Sequence, residues 1–338
     1  MELRLASILS NCPPSGRASG PTVSLPLVTL DEIRAAAERI RPAVAQTPLL
    51  RVGDGRTPRP FNLKCEHFHP MGAFKLRGAY NVLSQLGPEA RAAGVITYSS
   101  GNHGQAVALS AQLLGMRAVV VMPETAPRVK VEGTRKYGAE VIFAGRTSDD
   151  RRLRAEAEAA AHGYAVVPPF DHREIIAGAG TVGLEICEAL DGLTAVFVPV
   201  GGGGLLSGVA AAVKRLWPGV AVVGVEPAGS ASMGASRSAG APVRLPSTAS
   251  IADGLLTLRP GDLTFAHAQA FVDEMVTVTD DQIRDAVRWL HREAGLVVEP
   301  SGAAATAAVL ASGPSADGVV AIVSGGNVEA EDFAKYTA

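Results

Sequence analysis

From about Leu30 onward, short apolar runs alternate with stretches whose apolar positions recur at helical spacing. TLDEIRAAAERI (29–40) opens on Thr29 as a cap, carries acids in its first turn and predicts a helix. RGAYNVLSQL, GQAVALSAQLLG, PRVKVEGTRKYG and SDDRRLRAEAEAAAHG also read as helices, and GVITYSS, RAVVVM and AEVIFA as the strands between them. The second half repeats the scheme, with strands TAVFVPV, AVVGVE and GVVAIV. Its helices are LLSGVAAAVKRLW, SGAAATAAVLAS and TDDQIRDAVRWLHREAG, the last stopped at Gly295. Such alternation predicts an α/β fold with parallel sheets covered by helices on both faces. The stretch from about Ser230 to Arg259 is rich in Ser, Ala, Gly and Pro and reads as long loops.

Composition narrows the function. The chain has 338 residues, enough for two units sharing a cleft. It is 47% hydrophobic but only 5% aromatic, so the core is aliphatic and alanine-rich. A net charge of -2 with no basic run argues against nucleic acid, and no apolar run is long enough to span a membrane. Cys12, Cys65 and Cys187 form no disulfide framework or zinc knuckle, which fits a reducing, cytoplasmic setting. Residues 1–28 read as a flexible tail whose apolar patch is too short for a secretory signal.

Three glycine-rich or polar loops follow three strands: SSGNHG, GGGG and SGGN. In doubly wound sheets ligands bind beyond the carboxyl ends of the strands, so the three loops suggest one shared site. VGGGGLLSG (200–208) lets the backbone approach an anion, with the next helix adding its positive end. No Gly-Lys-Ser/Thr follows, so it is not a Walker A loop. A dinucleotide site competes, with Glu226 placed as a ribose-binding acid. Yet the one G-x-G-x-x-G match, GAGTVG (178–183), lies inside a helical pattern and reads as packing glycines. His67 and His69 form H-x-H without a third zinc-spaced ligand.

Within PMGAFKLRGAYN, Lys75 sits behind the small, apolar Gly72, Ala73 and Phe74. Burial there would lower the amine pKa and leave it nucleophilic. Such a lysine could be a phosphate counterion or could bond an aldehyde cofactor that carries a phosphate. Pyridoxal phosphate is such a cofactor and needs a lysine, a phosphate site and a partner for its ring nitrogen. Lys75, the glycine loop and Ser324 supply these three.

GAFKLRGAYN, SSGNHGQA, VPVGGGGLLSG, IADG, VEPSG and VSGGN together resemble the fold-type II pyridoxal-phosphate enzymes, nearest the serine/threonine dehydratases and serine racemases. The resemblance runs from about Leu27 to Glu329. It implies Lys75 as the cofactor-bearing base, Phe74 packing on the cofactor and Asn102 meeting the ring hydroxyl. It further implies Gly201, Gly202, Gly203, Gly204 and Leu205 as the phosphate cradle, Ser324 at the ring nitrogen and Glu299 close by. Ser99, Ser100, Asn102 and His103 would lie on the substrate-carboxylate loop. Ser100 matches the second proton-transfer residue of the racemases, and Arg151 is a candidate contact for an acidic substrate. The implied units are 93–171 (small) and 29–92 with 172–338 (large), usually in a homodimer. His67, His69 and Ala73 depart from the usual pattern. Some relatives hold a divalent cation between Glu226 and an Asp six residues on, where this chain has Ser232, so no metal is expected. The expected activity is ammonia release from L-serine, L-threonine or another 3-hydroxy amino acid. Racemisation, a nucleotide-binding oxidoreductase and an idle ligand-binding relative remain as alternatives.

Overall fold

The computed structural model describes residues 25–53, 60–99, 101–126, 128–145, 148–312 and 318–338. Helix α1 (Leu30–Ile40) begins with a capping box: the Thr29 hydroxyl accepts from the Glu32 N–H at 3.2 Å, and Glu32 accepts from the Thr29 N–H at 2.7 Å. Strands β1 (Leu49–Val52) and β2 (Phe61–Cys65) follow, then α2 (Lys75–Leu83) and α3 (Pro88–Ala93). The next segment alternates β3 (Val95–Tyr98), α4 (Asn102–Leu113), β4 (Ala118–Met122), α5 (Arg128–Lys136), β5 (Glu140–Phe143), α6 (Ser148–His162) and β6 (Ala165–Val166). Then come α7 (Arg173–Ala189), β7 (Ala195–Pro199), α8 (Gly204–Leu216), β8 (Ala221–Pro227) and α9 (Ser232–Ala239). The chain closes with α10 (Asp262–Phe271), β9 (Glu274–Val278), α11 (Asp280–Ala294), α12 (Pro300–Ser312), β10 (Val319–Val323) and α13 (Ala330–Thr337).

Two sheets result. The larger has the order β1-β2-β10-β7-β8-β9, antiparallel only between β1 and β2. The smaller, all parallel, has the order β5-β4-β3-β6. Valine and alanine dominate their buried faces, as the composition requires. The literal G-x-G-x-x-G match lies mid-helix in α7, where its glycines are packing surfaces. A Cβ at Gly178 would stand 2.6 Å from the Arg77 carbonyl, and one at Gly208 of α8 2.4 Å from the Gly180 nitrogen. Among the described residues no helix is long and apolar enough to cross a membrane.

Two expectations need correcting. Residues 26–28, expected within the flexible tail, are held. Val28 is buried and donates its N–H to His267 Nε2 at 2.9 Å, while the Pro26 and Leu27 carbonyls accept from Arg173. The stretch read as loops from Ser230 contains α9. Its small residues give no apolar stripe to read, and its first turn is held instead by Glu226, which accepts from the N–H groups of Met233 and Gly234 at 2.7 and 2.9 Å.

Candidate active site

Lys75 is the first residue of α2, and the turn before it is pinned to the end of β10. The Phe74 N–H donates to the Ser324 carbonyl at 3.0 Å, the Gly326 N–H to the Gly72 carbonyl at 2.9 Å, and Ala73 bridges Gly325. Gly72 adopts φ +76 in this turn, where a Cβ would meet Asn327 Oδ1 at 2.4 Å. The Lys75 amine donates to the Pro169 carbonyl at 2.7 Å and stands 5.0 Å from the Phe74 ring centre. Burial brings it down from the ordinary lysine value to about 8. Far more of it is therefore neutral and nucleophilic near neutral pH than of a surface lysine.

A buried ionic network stands behind this turn, and the sequence did not announce it. Arg77, fully buried, donates to Glu66 at 2.7 and 2.9 Å, to Glu185 at 2.6 and 2.9 Å and to the Thr181 hydroxyl at 3.0 Å. Lys64 donates to Glu185 at 2.5 Å, and His69 pairs with Glu66 at 3.0 Å. Burial alone would raise Glu66, but Arg77 and His69 outweigh it and hold the carboxyl well below its usual range. His69 is thus a partner in a structural network. His67 is lowered to about 4 by burial. Among the described residues no group of three His, Cys, Asp or Glu side chains is placed to hold a metal.

Asn102 opens α4 and is held at both ends of its amide. It donates to Glu299 Oε1 at 2.5 Å and accepts from Asn327 Nδ2 at 2.8 Å; Asn327 also donates to the Met71 carbonyl at 2.8 Å. Burial raises Glu299 to about 7, opposed by Lys130, whose amine is 3.8 Å from Glu299 Oε2 and also pairs with Asp253. Asn327 and Asp253 fall within VSGGN and IADG, where the sequence gives neither a role of its own, and Lys130 lies outside the motifs. Ion pairs formed across some 120 to 170 residues of chain join Lys130 to Asp253 and Glu299.

The glycine loop leaves β7 and enters α8. Gly203 takes φ +93, and no side chain caps the helix start. Phe170 packs onto the loop so closely that a Cβ at Gly202 would fall 2.3 Å from its ring. Lys75, Phe74, Ser99, Asn102, His103, Arg151, Gly202, Glu299 and Ser324 all line one cavity of about 280 Å³. Gly201, Gly203, Gly204 and Leu205 build the loop beside it without lining it. Ser100 lies outside the described residues. Arg151 is buried on the cavity wall, and desolvation lowers its pKa. Glu226 is not on that wall, its carboxylate being used to cap α9.

The sequence profile of the family described as pyridoxal-phosphate dependent enzyme matches residues 40–325. The chain belongs to that family. This pyridoxal-phosphate-dependent enzyme is 41% identical to the serine racemase of Schizosaccharomyces pombe over 93% of its own length and 98% of that protein's. It is 42% identical to the L-threo-3-hydroxyaspartate ammonia-lyase of Saccharomyces cerevisiae, over 90% and 95%. Against the L-threonine ammonia-lyase of Thermotoga maritima it is 42% identical, over 90% and 76%. Among solved structures, maize serine racemase superposes with a TM-score of 0.87 at 37% identity, covering 91% of this chain and 96% of that one. The residues of this cavity fit the cofactor. The cavity offers a buried lysine amine of lowered pKa and the hydroxyl of Ser324, beside a helix start that is glycine-lined and free of a side-chain cap.

Proposed function

We propose that this enzyme releases ammonia and a 2-keto acid from L-serine, L-threonine or a related 3-hydroxy amino acid by β-elimination. The observation that carries the reading is the pinning of Lys75 to the Ser324 strand end within one cavity. Lys75 would hold the cofactor through Nζ, Asn102 and Ser324 would meet its ring, and the Gly201–Gly204 loop with the Leu205 N–H would hold its phosphate. Bound there, pyridoxal phosphate supplies an electron sink joined to the substrate's Cα. Lys75, once free, takes the α-proton, and its low pKa suits that task. Ser324 is a neutral partner and leaves the ring a weaker sink than an aspartate would, which favours quick loss of the β-hydroxyl. Borohydride reduction should fix the cofactor to the peptide containing Lys75, and Lys75→Ala should lose both this label and ammonia release from L-serine. Label on another lysine, or normal turnover in the variant, would overturn the assignment.

Racemisation is the second reading. It is favoured by the serine at position 100 and by the name of the Schizosaccharomyces pombe relative. A racemase needs a proton donor on the Cα face opposite Lys75. Ser100→Ala should then abolish L-serine racemisation in deuterated water while keeping dehydration within about tenfold, or about 1.4 kcal/mol of barrier. Equal loss of both activities would show that Ser100 only holds the substrate.

A further inference from the structure

We infer that Thr264 is a positioning residue for the cofactor phosphate: its hydroxyl keeps the peptide between Gly202 and Gly203 from turning over. The inference rests on the reading of Gly201–Gly204 as the phosphate loop. Four consecutive glycines let a backbone approach an anion closely, but the same freedom is a liability. A peptide with a glycine on either side turns over at little cost, and its C=O and N–H then exchange places. The loop would present a carbonyl oxygen where an anion needs a donor.

Thr264, in the first turn of α10, is fully buried. Its Oγ1 donates to the Gly202 carbonyl at 2.7 Å; the Gly261 carbonyl of its own helix start is farther, at 3.2 Å. Among the described residues Thr264 is the one side chain bonded to a carbonyl of the loop. Gly202 lines the cavity and Thr264 does not, so the hydroxyl grips the loop from behind. The peptide is trans, and the Gly203 N–H therefore points opposite to the held carbonyl, away from Thr264. The N–H groups of Gly203, Gly204 and Leu205 meet no acceptor among the described residues, and the first bond of α8 is from the Ser207 N–H to the Gly203 carbonyl at 2.8 Å. Thr264 is itself anchored. The Asp171 carboxylate accepts from the N–H groups of Asp262, Leu263 and Thr264 at 3.1, 3.0 and 3.1 Å, and Ser207 Oγ donates to the Thr264 carbonyl at 3.2 Å. Space is closed as well: a Cβ at Gly203 would stand 2.6 Å from Met233 Cε and 2.9 Å from Thr264 Cβ. The hydroxyl is thus fixed and cannot follow the peptide round.

Titration of apoenzyme with pyridoxal phosphate and with pyridoxal, which lacks the phosphate, gives the test. Both join Lys75 through the same aldehyde, so the ratio of their dissociation constants isolates the phosphate. Thr264→Val drops the hydroxyl and nearly keeps the shape. It should weaken pyridoxal phosphate by about tenfold or more, the worth of one hydrogen bond to a charged group, and pyridoxal by less than about threefold. Thr264→Ala, which leaves a gap instead of a methyl group, should do the same, and Thr264→Ser should restore most of the preference. An unchanged preference for the phosphate form in Thr264→Val or Thr264→Ala would overturn the inference alone, as would an equal loss of both ligands. A wild type that holds pyridoxal as tightly as pyridoxal phosphate would sink the phosphate-loop reading and this inference with it.

Discussion

An ordinary lysine amine is almost wholly protonated at neutral pH and a poor nucleophile. Lys75 escapes this because its environment penalises charge, bringing the amine down to about 8. Below that value the folded apoenzyme carries a protonated, unreactive amine; above it the amine is free. The rate at which apoenzyme captures pyridoxal phosphate should therefore climb as pH rises through about 8 and level off beyond, as followed by stopped-flow absorbance. A climb centred near the ordinary lysine value of 10.5 would show that the amine is not desolvated. This lysine was legible because a cation behind Gly-Ala-Phe is conspicuous in sequence. His103 was legible as a loop residue but not in its tautomer, which depends on the Val167 carbonyl 64 residues away.

At the scale of elements, α2 presents Lys75 on one side of its first turn and drives Arg77 into a carboxylate pair on the other. Removing one member of a buried ionic network leaves the rest uncompensated, typically at a cost of about 3–5 kcal/mol. Arg77→Met should lower the stability of the enzyme by about that much in urea unfolding, since Glu66 and Glu185 would face each other without it. A loss under about 1 kcal/mol would mean that Lys64 and His69 suffice to hold both acids. Elements with strong local signals were readable: α1 and α11 each start with a capping box, and α11 ends at Gly295 with φ 66. Strand β2 was not, because FNLKC buries Asn62 and Lys64 and so does not look like core. Lys64 is tolerable there only through Glu185 and the Thr47 carbonyl, which come from distant segments. Strands β1 and β9 lacked a signal of their own, with mixed burial along each.

In the whole molecule the two sheets meet at the cavity and are tied across it. Lys130 of α5 pairs with Asp253, Arg244 pairs with Asp149 of α6 at 2.6 Å, and the Val129 N–H donates to Glu329 at 2.8 Å. The segment from Val167 to His172 joins the sheets. It touches His103 and Lys75 through carbonyls and the glycine loop through Phe170. The alternation of elements made the α/β class and the convergence of three strand ends readable, whereas these ties depend on side chains that only folding brings together. The strand order has a further consequence. β10 lies between β2 and β7, both of which come much earlier in the chain. A ribosome that has delivered everything up to α12 has produced Lys75, Asn102 and the glycine loop. The seam that pins Lys75 is still open, because its other half has not been synthesised. The nascent chain therefore cannot assemble a cofactor pocket before β10 is made: only then does the reactive amine receive its surroundings, and with them its chemistry.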